Sequence, residues 1–343
     1  MFRKSVKETK AYKAPVEGRT NFRRLDFNES TQQPSWNVLS AVHAFLESDR
    51  VSAYPDDYSK LHEGIGSYLG IDPACVRATD GADGAIEAIV GACVGKRGRV
   101  IIPSPSFGIF YTTTSAQGAE IVKPSYGPNF EFPLDEVLSN MRKARLVVVC
   151  NPNNPTGTLV PKEAVERILK TGKAVLVDEV YSEFTGVSCV DLVPKYDNLF
   201  VVRSFSKAWA LASFRVGYVV SQPQNIEQLN KVMAPYNVNQ LGVVAATTAL
   251  KNPTYMRAYV EEVMRKSKPM LVSHLKKKGV KFNEGAANFM LVDVGDAQAV
   301  YEKLKAKGIL VRPQREPLER MIRVSVGTVK DTEDFVKAFE QVL

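Results

Sequence analysis

The sequence predicts an α/β fold, with a mostly parallel central sheet, helices on both faces of that sheet, and a smaller α+β domain at the C-terminal end. Two observations lead to this prediction. Short apolar runs rich in β-branched residues alternate with helical patterns through the middle of the chain, as is typical of parallel strands that are covered on both faces. The C-terminal part instead mixes shorter strands with helices, which is typical of an α+β layer structure.

The central strands are predicted from runs of apolar residues bounded by turn signals. They are Val100–Pro103, Leu146–Cys150, Ala174–Asp178, Leu199–Arg203 and Val216–Ser221. Helical spacing of apolar residues predicts a helix over Asp83–Val94, and Pro161 is expected in the first turn of a second helix over Lys162–Lys170. Strands that alternate with helices in this way indicate βαβ units.

The C-terminal part is predicted to begin with a long helix from about Pro253 to Lys278, which Gly279 would end. Shorter strands and helices are expected after it, at Asn288–Val294, Asp296–Lys307, Gly308–Arg312, Met321–Val326 and Asp331–Leu343. We expect an N-terminal arm over residues 1–25, a large domain over 26–238 and a small domain over 239–343, with the arm packed against either domain.

Composition excludes several classes of protein. A chain of 343 residues has room for about two or three domains, and its 45% hydrophobic and 24% charged residues are typical of globular proteins. The longest apolar runs are far shorter than the roughly twenty residues of a membrane-spanning helix, and no apolar segment resembling a secretory signal follows the N-terminal charges. We therefore expect a soluble, cytoplasmic protein without a membrane partner.

The net charge of +8 comes mainly from two basic clusters, one within residues 1–24 and one between Arg265 and Lys281. Such clusters could attract the phosphates of a nucleic acid, or they could be a solvated arm and a solvated helix face. No nucleic-acid-binding motif lies near either cluster, so we expect solvated surfaces. The four cysteines and three histidines lack the spacing of a metal site, which predicts reduced, buried thiols and no metal.

Polar loops follow three of the predicted strands, at the edge where open α/β sheets place their sites. Asn151–Gly157 follows the strand that ends at Cys150, Asp178–Tyr181 ends the next strand, and Ser204–Lys207 follows the strand that ends at Arg203. A single loop of this kind is ordinary turn chemistry, but three in succession indicate a binding site. The sequence offers no P-loop, no GxSxG elbow and no GxGxxG after a strand.

These loops belong to a longer set of matching stretches: Leu25–Glu29, Ala53–Pro55, Asp80–Asp83, Pro105–Phe107, Asn151–Gly157, Val177–Tyr181, Arg203–Lys207, Arg215–Gly217, Pro235–Asn237, Ala287–Phe289, Gly308–Arg312 and Ile322–Thr328. On these motifs, which extend over almost the whole chain, the sequence resembles the fold-type I pyridoxal-phosphate-dependent aminotransferases. Within that superfamily it most resembles the histidinol-phosphate aminotransferase family.

The resemblance implies that pyridoxal 5'-phosphate is held as a Schiff base on Lys207, whose freed amine then moves the proton between substrate and cofactor. Asp178 would pair with the pyridinium nitrogen and keep it protonated, so that the ring can accept electrons. Tyr181 and Asn154 would bind the phenolic oxygen of the cofactor. Phe107 would stack on the ring, at a position where the family usually has a tyrosine.

The resemblance also implies a site for the cofactor phosphate, made of backbone N–H groups at a helix N-terminus, polar side chains and a tyrosine from a partner subunit. These residues are Ala82, Asp83, Ser204, Ser206, Arg215 and Tyr54. A tyrosine shared across subunits implies a homodimer with shared active sites.

For the substrate, the resemblance selects Arg323 as the arginine that binds the carboxylate of glutamate and the phosphate of histidinol phosphate, since a planar guanidinium suits both anions. Arg312 and Tyr12 are expected near the same anion, and Asn28 near the substrate amine. The reaction implied is amino transfer between histidinol phosphate, or a related amine, and 2-oxoglutarate, as in histidine biosynthesis.

Departures from the family pattern leave other substrates open. The stretch Ser30–Pro34 lacks the family's glycine- and proline-rich pattern, Gly84 replaces an acidic residue, and Ala210–Phe214 differs from the usual sequence after the lysine. An aromatic amino acid aminotransferase and a decarboxylase of the threonine-phosphate type are therefore alternatives. A cofactor-binding regulator or nucleic-acid binder is a third, against which the intact catalytic motif argues.

Overall fold

The computed structural model describes residues 1–12, 18–55 and 58–342. Its strands belong to a seven-stranded sheet, a four-stranded sheet and a two-stranded pair. In chain order they are β1 (Arg23–Arg24), β2 (Val76–Asp80), β3 (Arg99–Ile101), β4 (Glu120–Val122), β5 (Ala144–Cys150), β6 (Ala174–Asp178), β7 (Leu199–Ser204), β8 (Val216–Val220), β9 (Phe282–Asn283), β10 (Phe289–Asp293), β11 (Ile309–Leu310), β12 (Arg312–Pro313) and β13 (Met321–Ser325).

The helices surround the large sheet and cover the small one. In chain order they are α1 (Lys4–Glu8), α2 (Trp36–Leu46), α3 (Ser59–Leu69), α4 (Gly81–Cys93), α5 (Gly108–Gln117), α6 (Leu134–Ser139), α7 (Lys162–Leu169), α8 (Ser182–Thr185), α9 (Pro223–Asn230), α10 (Gln240–Lys251), α11 (Thr254–Glu262), α12 (Lys268–Lys277), α13 (Ala297–Ala306) and α14 (Val329–Glu340). Within the described ranges, no helix has the length and apolar character needed to span a membrane.

The large sheet has the strand order β2-β8-β7-β6-β5-β3-β4. Strand β8 runs antiparallel to both of its neighbours, and the other neighbouring pairs are parallel. The five strands predicted in this region are β3, β5, β6, β7 and β8, with ends that differ from the predicted ones by two residues or fewer. The predicted fold class is therefore confirmed.

Both faces of this sheet are buried, which explains the unbroken apolar runs. In β5, Val147 and Val149 pack into one apolar cluster, whereas Leu146 and Val148 pack into a second cluster. Since successive side chains of a strand point to opposite faces, the two clusters lie on opposite sides of the sheet, and each face requires apolar residues.

The single helix predicted from Pro253 to Lys278 is interrupted in the structure. A π-helical turn over Val263–Ser267 separates α11 from α12, just before Pro269. Proline has no N–H to donate to the carbonyl four residues earlier, and a wider turn at this point is a common way to accommodate such a break. The helix ends as predicted, with Gly279 in the left-handed region at a φ of 66°.

Other helix starts differ in detail from the prediction. Helix α4 begins at Gly81, two residues before the predicted Asp83. Helix α7 begins at Lys162 as predicted, but the position of Pro161 is different. Pro161 is the N-cap residue of α7, with an extended ψ of 142°, and does not lie in the first turn. The last helix begins at Val329, because Thr328 and Asp331 form a reciprocal capping box. Leu343, its predicted end, lies outside the described residues.

The N-terminal arm contacts both parts of the molecule. Helix α1 packs on α5 beside the large sheet, and β1 pairs in parallel with β11 of the C-terminal part. Helix α10, which the predicted boundary at 238 would place in the small domain, packs on α2 and α3. We therefore propose that the large domain extends through α10, to about Asn252.

Strand directions bring the candidate site together. The carboxyl ends of β2, β5, β6 and β7 and the amino end of β8 lie at the same edge of the large sheet, because β8 is antiparallel to its neighbours. The loops Asn151–Gly157, Asp178–Tyr181 and Ser204–Lys207 therefore converge at this edge. Strand β13 and the segment after β1 approach it from the small part, through contacts described below.

Candidate active site

A cavity of about 470 Å³ opens at this edge of the large sheet. Ten of the residues predicted to bind the cofactor line it: Ala82, Asp83, Phe107, Asn154, Asp178, Tyr181, Ser204, Ser206, Lys207 and Arg215. Tyr12 and Arg323, which were predicted to bind substrate, also line it. A wider cavity of about 1040 Å³ adjoins it and shares Tyr12, Phe107, Asn154 and Arg323.

Lys207 lies at the floor of the smaller cavity, at the end of the turn that follows β7. Its Nζ donates a hydrogen bond to the carbonyl oxygen of Phe27 at 2.9 Å and lies 5.7 Å from the centroid of the Tyr181 ring. Burial and, to a smaller extent, the positive charge of Arg323 lower the pKa of Lys207 to about 8, against the opposing effect of nearby carboxylates. A lysine in this state releases its proton far more readily than one in water.

Asp178 ends β6 and is only 2% exposed. Its Oδ1 accepts a hydrogen bond from the backbone N–H of Val180 at 3.2 Å. Burial raises the pKa of Asp178 to about 7, and the negative charges of Asp83 and Glu179 act in the same direction, whereas the Val180 bond and Lys207 oppose the shift. A buried carboxylate in this state is well suited to a cationic partner inside the cavity.

The N-terminus of α4 forms one wall of the cavity. Among the described residues no side chain caps this helix at Asp80, so the N–H groups of Ala82 and Asp83 are available to an anion. Gly217 makes the approach of β8 possible, because a Cβ there would lie 2.4 Å from the carbonyl carbon of Gly81. A Cβ on Gly81 itself would lie 2.5 Å from Nη2 of Arg215.

Arg215 completes this wall from the start of β8, where it adopts a left-handed backbone with a φ of 53°. Its Nη2 lies 3.3 Å from Oδ2 of Asp83, and its Nη1 donates to Oγ of Ser206 at 3.4 Å. The N–H of Ser206 donates in turn to Oγ of Ser204 at 3.0 Å. Two hydroxyls, a guanidinium and free helical N–H groups therefore converge on one spot, which is the donor set of a phosphate site.

Tyr181 is buried beside Lys207 and is held from behind by Asn28. The Nδ2 of Asn28 donates to the Tyr181 hydroxyl at 3.0 Å, and both Oδ1 and the backbone N–H of Asn28 bond to Oγ of Ser325 at 3.0 and 2.9 Å. Burial raises the pKa of Tyr181, which keeps its hydroxyl protonated and able to donate into the cavity. Asn28 lies outside the lining of the cavity and contacts it through Tyr181.

Arg323 reaches the cavity from β13, where it lies opposite Leu291 of β10 and Arg312 of β12. Its Nη1 donates to Oδ1 of Asn154, its Nη2 donates to the carbonyl oxygen of Asp26, and its Nε has no partner among the described residues. Burial lowers the pKa of Arg323, and the charge of Arg312 acts in the same direction. The guanidinium is thus a buried cation that an anion would stabilise.

Aromatic side chains form the mouth of the cavity. Phe107 precedes α5, and the ring of Tyr12 packs edge-on against it, with centroids 5.8 Å apart. The ring of Phe27, which also lines the cavity, lies near two guanidinium groups, with Arg19 at 3.8 Å and Arg312 at 5.8 Å from its centroid. Arg312 lines the wider cavity.

The structure does not bring Tyr54 to this cavity. Its side chain is 79% exposed, and its ring stacks on that of Tyr236, with centroids 4.8 Å apart. Neither cavity described above is lined by Tyr54.

Several contacts at the site were not predicted. Phe27 supplies both a carbonyl to Lys207 and a ring at the mouth, and Ser325 holds Asn28. Both lie within stretches that match the family, Leu25–Glu29 and Ile322–Thr328, but nothing in the sequence indicates which of their residues bond to each other. The positive φ of Gly81, at 65°, is likewise visible only in the structure.

A metal site is not indicated. Within residues 1–12, 18–55 and 58–342, no group of three or more His, Cys, Asp or Glu side chains could hold an ion. The four cysteines are free thiols, and Cys93 is partly exposed, whereas the other three are buried.

Comparisons with known proteins agree with this geometry. The family model of aminotransferase class I and II matches residues 22–339. The histidinol-phosphate aminotransferase of Thermoanaerobacter pseudethanolicus is 31% identical over 326 residues, covering 93% of each chain. A dihydroxyacetone phosphate transaminase of Campylobacter jejuni is 34% identical over 318 residues, covering 90% of this chain and 87% of the relative. A crystal structure of the Sinorhizobium meliloti histidinol-phosphate aminotransferase with pyridoxal 5'-phosphate superposes with a TM-score of 0.88 at 25% identity, covering 99% of this chain and 97% of that one.

Proposed function

This chain belongs to the aminotransferase class I and II family and is a pyridoxal-phosphate-dependent aminotransferase, and we propose that it transfers the amino group between histidinol phosphate and 2-oxoglutarate, as in histidine biosynthesis. The observation that carries the proposal is a buried arginine, Arg323, that shares one cavity with Lys207. An arginine with an unpaired Nε in this place can bind a carboxylate and a phosphate in turn. The histidinol-phosphate aminotransferases that are about 31% identical to this chain support the same substrate.

The residues at the cavity floor fit the cofactor. The uncapped N-terminus of α4, the two serines and the fork of Arg215 suit its phosphate. Gly217 lets β8 approach the start of α4, and Gly81 leaves room for the guanidinium of Arg215. The buried carboxylate of Asp178 suits a protonated ring nitrogen, since a cation there would restore the ordinary acidity of the group. When bound, pyridoxal phosphate supplies an electron sink for the charge that develops at the substrate carbon.

Lys207 has two tasks in this proposal. Its amine would hold the cofactor covalently, and the free amine would move the proton at the substrate carbon. The pKa of about 8 suits both tasks, because a base that operates near neutral pH is most effective when its pKa is close to that pH. Arg323 contributes to this property as well as to binding, since its charge helps to lower the pKa of Lys207.

Tyr181 and Asn154 would orient the cofactor at the oxygen next to its reactive carbon. Tyr181 can donate from a hydroxyl that Asn28 holds in place, and Asn154 can bond through its amide, whose oxygen accepts from Arg323. Phe107 offers an apolar face for stacking on the ring. The hydrogen bond between Asn154 and Arg323 connects the cofactor end of the cavity to the substrate end.

At the substrate end, Arg323 would bind the anionic group, with Arg312 at the wall of the wider cavity and Tyr12 at the mouth. Asn28 would act near the substrate amine only through Tyr181, because it does not line the cavity. The two arginines lie opposite each other on neighbouring strands, where two like charges destabilise each other. A doubly charged phosphate between the mouth and the wall would relieve that repulsion.

A second candidate substrate is dihydroxyacetone phosphate, because the relative named for it has the higher identity of the two, 34%. Both candidates carry a phosphate on a short carbon chain, so Arg323 would serve either one. Aromatic amino acid transamination and decarboxylation of a threonine phosphate remain alternatives that the floor of the cavity would also support, since they use the same lysine and aspartate.

The experiment that separates these candidates is a donor and acceptor screen. Conversion of 2-oxoglutarate to glutamate would be followed with histidinol phosphate, phenylalanine, tyrosine, aspartate and the amine of dihydroxyacetone phosphate, and carbon dioxide release would be followed with threonine phosphate. We expect the highest kcat/KM with histidinol phosphate. Faster turnover of the amine of dihydroxyacetone phosphate, or release of carbon dioxide, would move the assignment to the other substrate.

We also propose a homodimer in which Tyr54 completes the phosphate site of the partner. Support comes from large apolar side chains that are exposed by 52% or more, namely Trp36, Val51, Tyr54, Val232 and Tyr236, of which Tyr54 and Tyr236 stack on each other; exposed apolar groups of this kind are typical of protein interfaces. Sedimentation at assay concentration tests this, together with Tyr54→Phe, which should weaken cofactor retention. A monomer with full turnover would contradict it.

A cytoplasmic location is the last part of the proposal. Phosphorylated substrates carry charge and do not cross an apolar barrier unaided, so an enzyme that uses them belongs in the compartment where they are made. Fractionation of cells that express the tagged chain would test this.

A further inference from the structure

Lys268 lies in the basic cluster between Arg265 and Lys281, for which we expected a solvated helix face. That expectation is wrong for Lys268, which is 2% exposed at the start of α12, directly after the π-helical turn. Its Nζ donates hydrogen bonds to the carbonyl oxygens of Gly285 at 2.7 Å and Ala287 at 2.9 Å. In the described part of the chain it makes no ion pair with a carboxylate.

Such a lysine is costly for stability, because burying a charge without an opposite charge carries a large desolvation penalty. Burial accordingly lowers the pKa of Lys268 to about 8, with a partly opposing effect of Glu284. An apolar side chain of similar length would fill the same space without that cost. The ammonium group therefore serves to bind these two carbonyl oxygens, and its role depends on the chain segment that carries them.

The segment 283–287 is fastened to the loop that carries Asn154. The N–H of Ala286 donates to the carbonyl oxygen of Gly157 at 2.8 Å, and Nδ2 of Asn283 donates to the carbonyl oxygen of Thr156 at 2.5 Å. The backbones touch here, since a Cβ on Gly157 would lie 2.7 Å from the Cα of Gly285. The small domain thus holds the end of the Asn151–Gly157 loop through this contact.

The same segment continues into the active site. Asn288 donates through Nδ2 to the carbonyl oxygen of Asn28 at 3.3 Å. The ring of Phe289 packs edge-on against Tyr181, with centroids 5.2 Å apart, and lies 5.5 Å from the guanidinium carbon of Arg323. A shift of residues 283–289 would therefore displace the supports of Asn154, Tyr181 and Arg323 together.

We propose that Lys268 is a positioning residue for the substrate end of the active site: by holding the carbonyls of Gly285 and Ala287, it fixes residues 283–289 against Thr156 and Gly157 and thereby sets the positions of Asn154 and Arg323. The proposal deepens the function proposed above and rests on it, because the positions it concerns are those that bind the substrate anion. Lys268 touches neither substrate nor cofactor in this scheme.

The test compares Lys268→Met, which keeps the length of the side chain but removes its donors, with Lys268→Arg, which keeps donors. Leu275→Ala is the matched control, because Leu275 is fully buried in the same helix and packs in the apolar core, so its loss lowers stability without removing the carbonyl contacts. Each variant is measured as holoenzyme for kcat/KM, for cofactor affinity, and for the dissociation constant of glutarate, an unreactive dicarboxylate followed by the cofactor absorbance.

We expect Lys268→Met to weaken glutarate binding and kcat/KM by about 10- to 100-fold, since small misplacements of a binding group have effects of this size. Cofactor affinity should stay within about threefold of the wild type, Lys268→Arg should restore most of the loss, and Leu275→Ala should lower the melting temperature but leave glutarate binding intact. Unchanged glutarate binding in Lys268→Met, or an equal loss in Leu275→Ala, would overturn the proposal.

Asn283→Ala provides a second route if Lys268→Met does not fold, because it removes a bond of the same contact without exposing the core. It should weaken glutarate binding in the same direction as Lys268→Met, and an unaltered glutarate dissociation constant in Asn283→Ala would contradict the proposal. A failure of the proposed function would be seen in a different measurement, since the wild type would then bind cofactor but transaminate none of the donors. The comparison of glutarate binding among the variants would still test the role of Lys268.

Discussion

The floor and the mouth of the active-site cavity are built in different ways. At the floor, Asp178, Lys207 and Arg215 come from the strand ends and turns at one edge of a single sheet, and the close approach of Gly217 to Gly81 joins β8 to α4 beside them. At the mouth, Arg323 comes from the small sheet and Tyr12 from the N-terminal arm, and each meets the large domain through side-chain contacts.

This difference separates the chemistry from the choice of substrate. The floor is held by backbone hydrogen bonds of the sheet, so its residues have fixed positions whatever the substrate. The positions of the residues at the mouth depend on how the small domain and the N-terminal arm pack on the large domain. Small changes in side chains can alter this packing. We therefore expect substitutions at the floor to remove the reaction, and substitutions at the mouth to change which substrate is used and how well.

The largest effect is expected for Lys207→Ala. Without its amine the enzyme loses both the covalent attachment of the cofactor and the base, and groups of this kind contribute about 10⁴- to 10⁶-fold to turnover. Borohydride reduction of the wild-type holoenzyme, followed by peptide mapping, should find the cofactor on Lys207. A modified peptide with any other lysine would show that the floor has been assigned wrongly.

Asp178→Asn should give the next largest loss, about 10²- to 10⁴-fold in kcat, because a neutral amide cannot keep the ring nitrogen protonated. The variant should still bind cofactor through the phosphate site at Ser206 and Arg215. Single-turnover measurements with glutamate would locate the loss in the proton-transfer step. Turnover near that of the wild type would remove Asp178 from the mechanism.

The same variant has an opposite effect on the stability of the cofactor-free protein. The folded-state pKa of Asp178, about 7, is above its ordinary value, so the stability that the protonated form contributes is lost as the pH rises from about 4 to 7. Above pH 7, cofactor-free Asp178→Asn should therefore be more stable than the wild type by about 4 kcal/mol, since each pKa unit corresponds to about 1.4 kcal/mol. Urea unfolding at pH 5 and pH 8 would measure this, and equal stabilities at pH 8 would contradict it.

At the mouth, Arg323→Lys should lower kcat/KM by about one to two orders of magnitude, since a lysine keeps the charge but loses the two-pronged bond, at about 1.5–3 kcal/mol. The loss should appear with both glutamate and the phosphorylated amine, while the absorption spectrum of the bound cofactor stays normal. A variant that loses cofactor but binds both substrates normally would place Arg323 at the floor and break the distinction.

The sequence predicts the floor better than the mouth for a physical reason. Strands β5, β6 and β7 are covered on both faces, so their apolar runs are continuous and the polar residues that follow them are easily recognised. The edge strands β2 and β4 were not predicted, because polar residues such as Arg77, which is partly buried, and Glu120, which is exposed, interrupt their apolar runs.

Contacts at the mouth lie beyond what the sequence shows, because they join residues almost three hundred positions apart. The bonds of Arg323 to Asp26 and of Asn28 to Ser325 depend on how the first segment packs beside β13. Lys268 is a similar case, since a basic cluster in the sequence gives no sign that a π-helical turn precedes the residue and that its side chain is buried.

The smallest effect concerns the pH dependence of cofactor attachment, and it measures how the mouth acts on the floor. Covalent attachment requires the neutral amine of Lys207, and a pKa of about 8 makes the neutral fraction rise about tenfold between pH 7 and pH 9. The rate at which cofactor-free protein recombines with pyridoxal phosphate should therefore rise through a midpoint near pH 8.

Two variants should move that midpoint in opposite directions. Arg323→Met should move it upward, because Arg323 lowers the pKa of Lys207, and Asp178→Asn should move it downward, because Asp178 raises that pKa. Stopped-flow absorbance over pH 6 to 10 would resolve the three midpoints. If both variants shift the midpoint in the same direction, the charges at the mouth and the floor do not act on Lys207 in the opposing ways that the structure indicates.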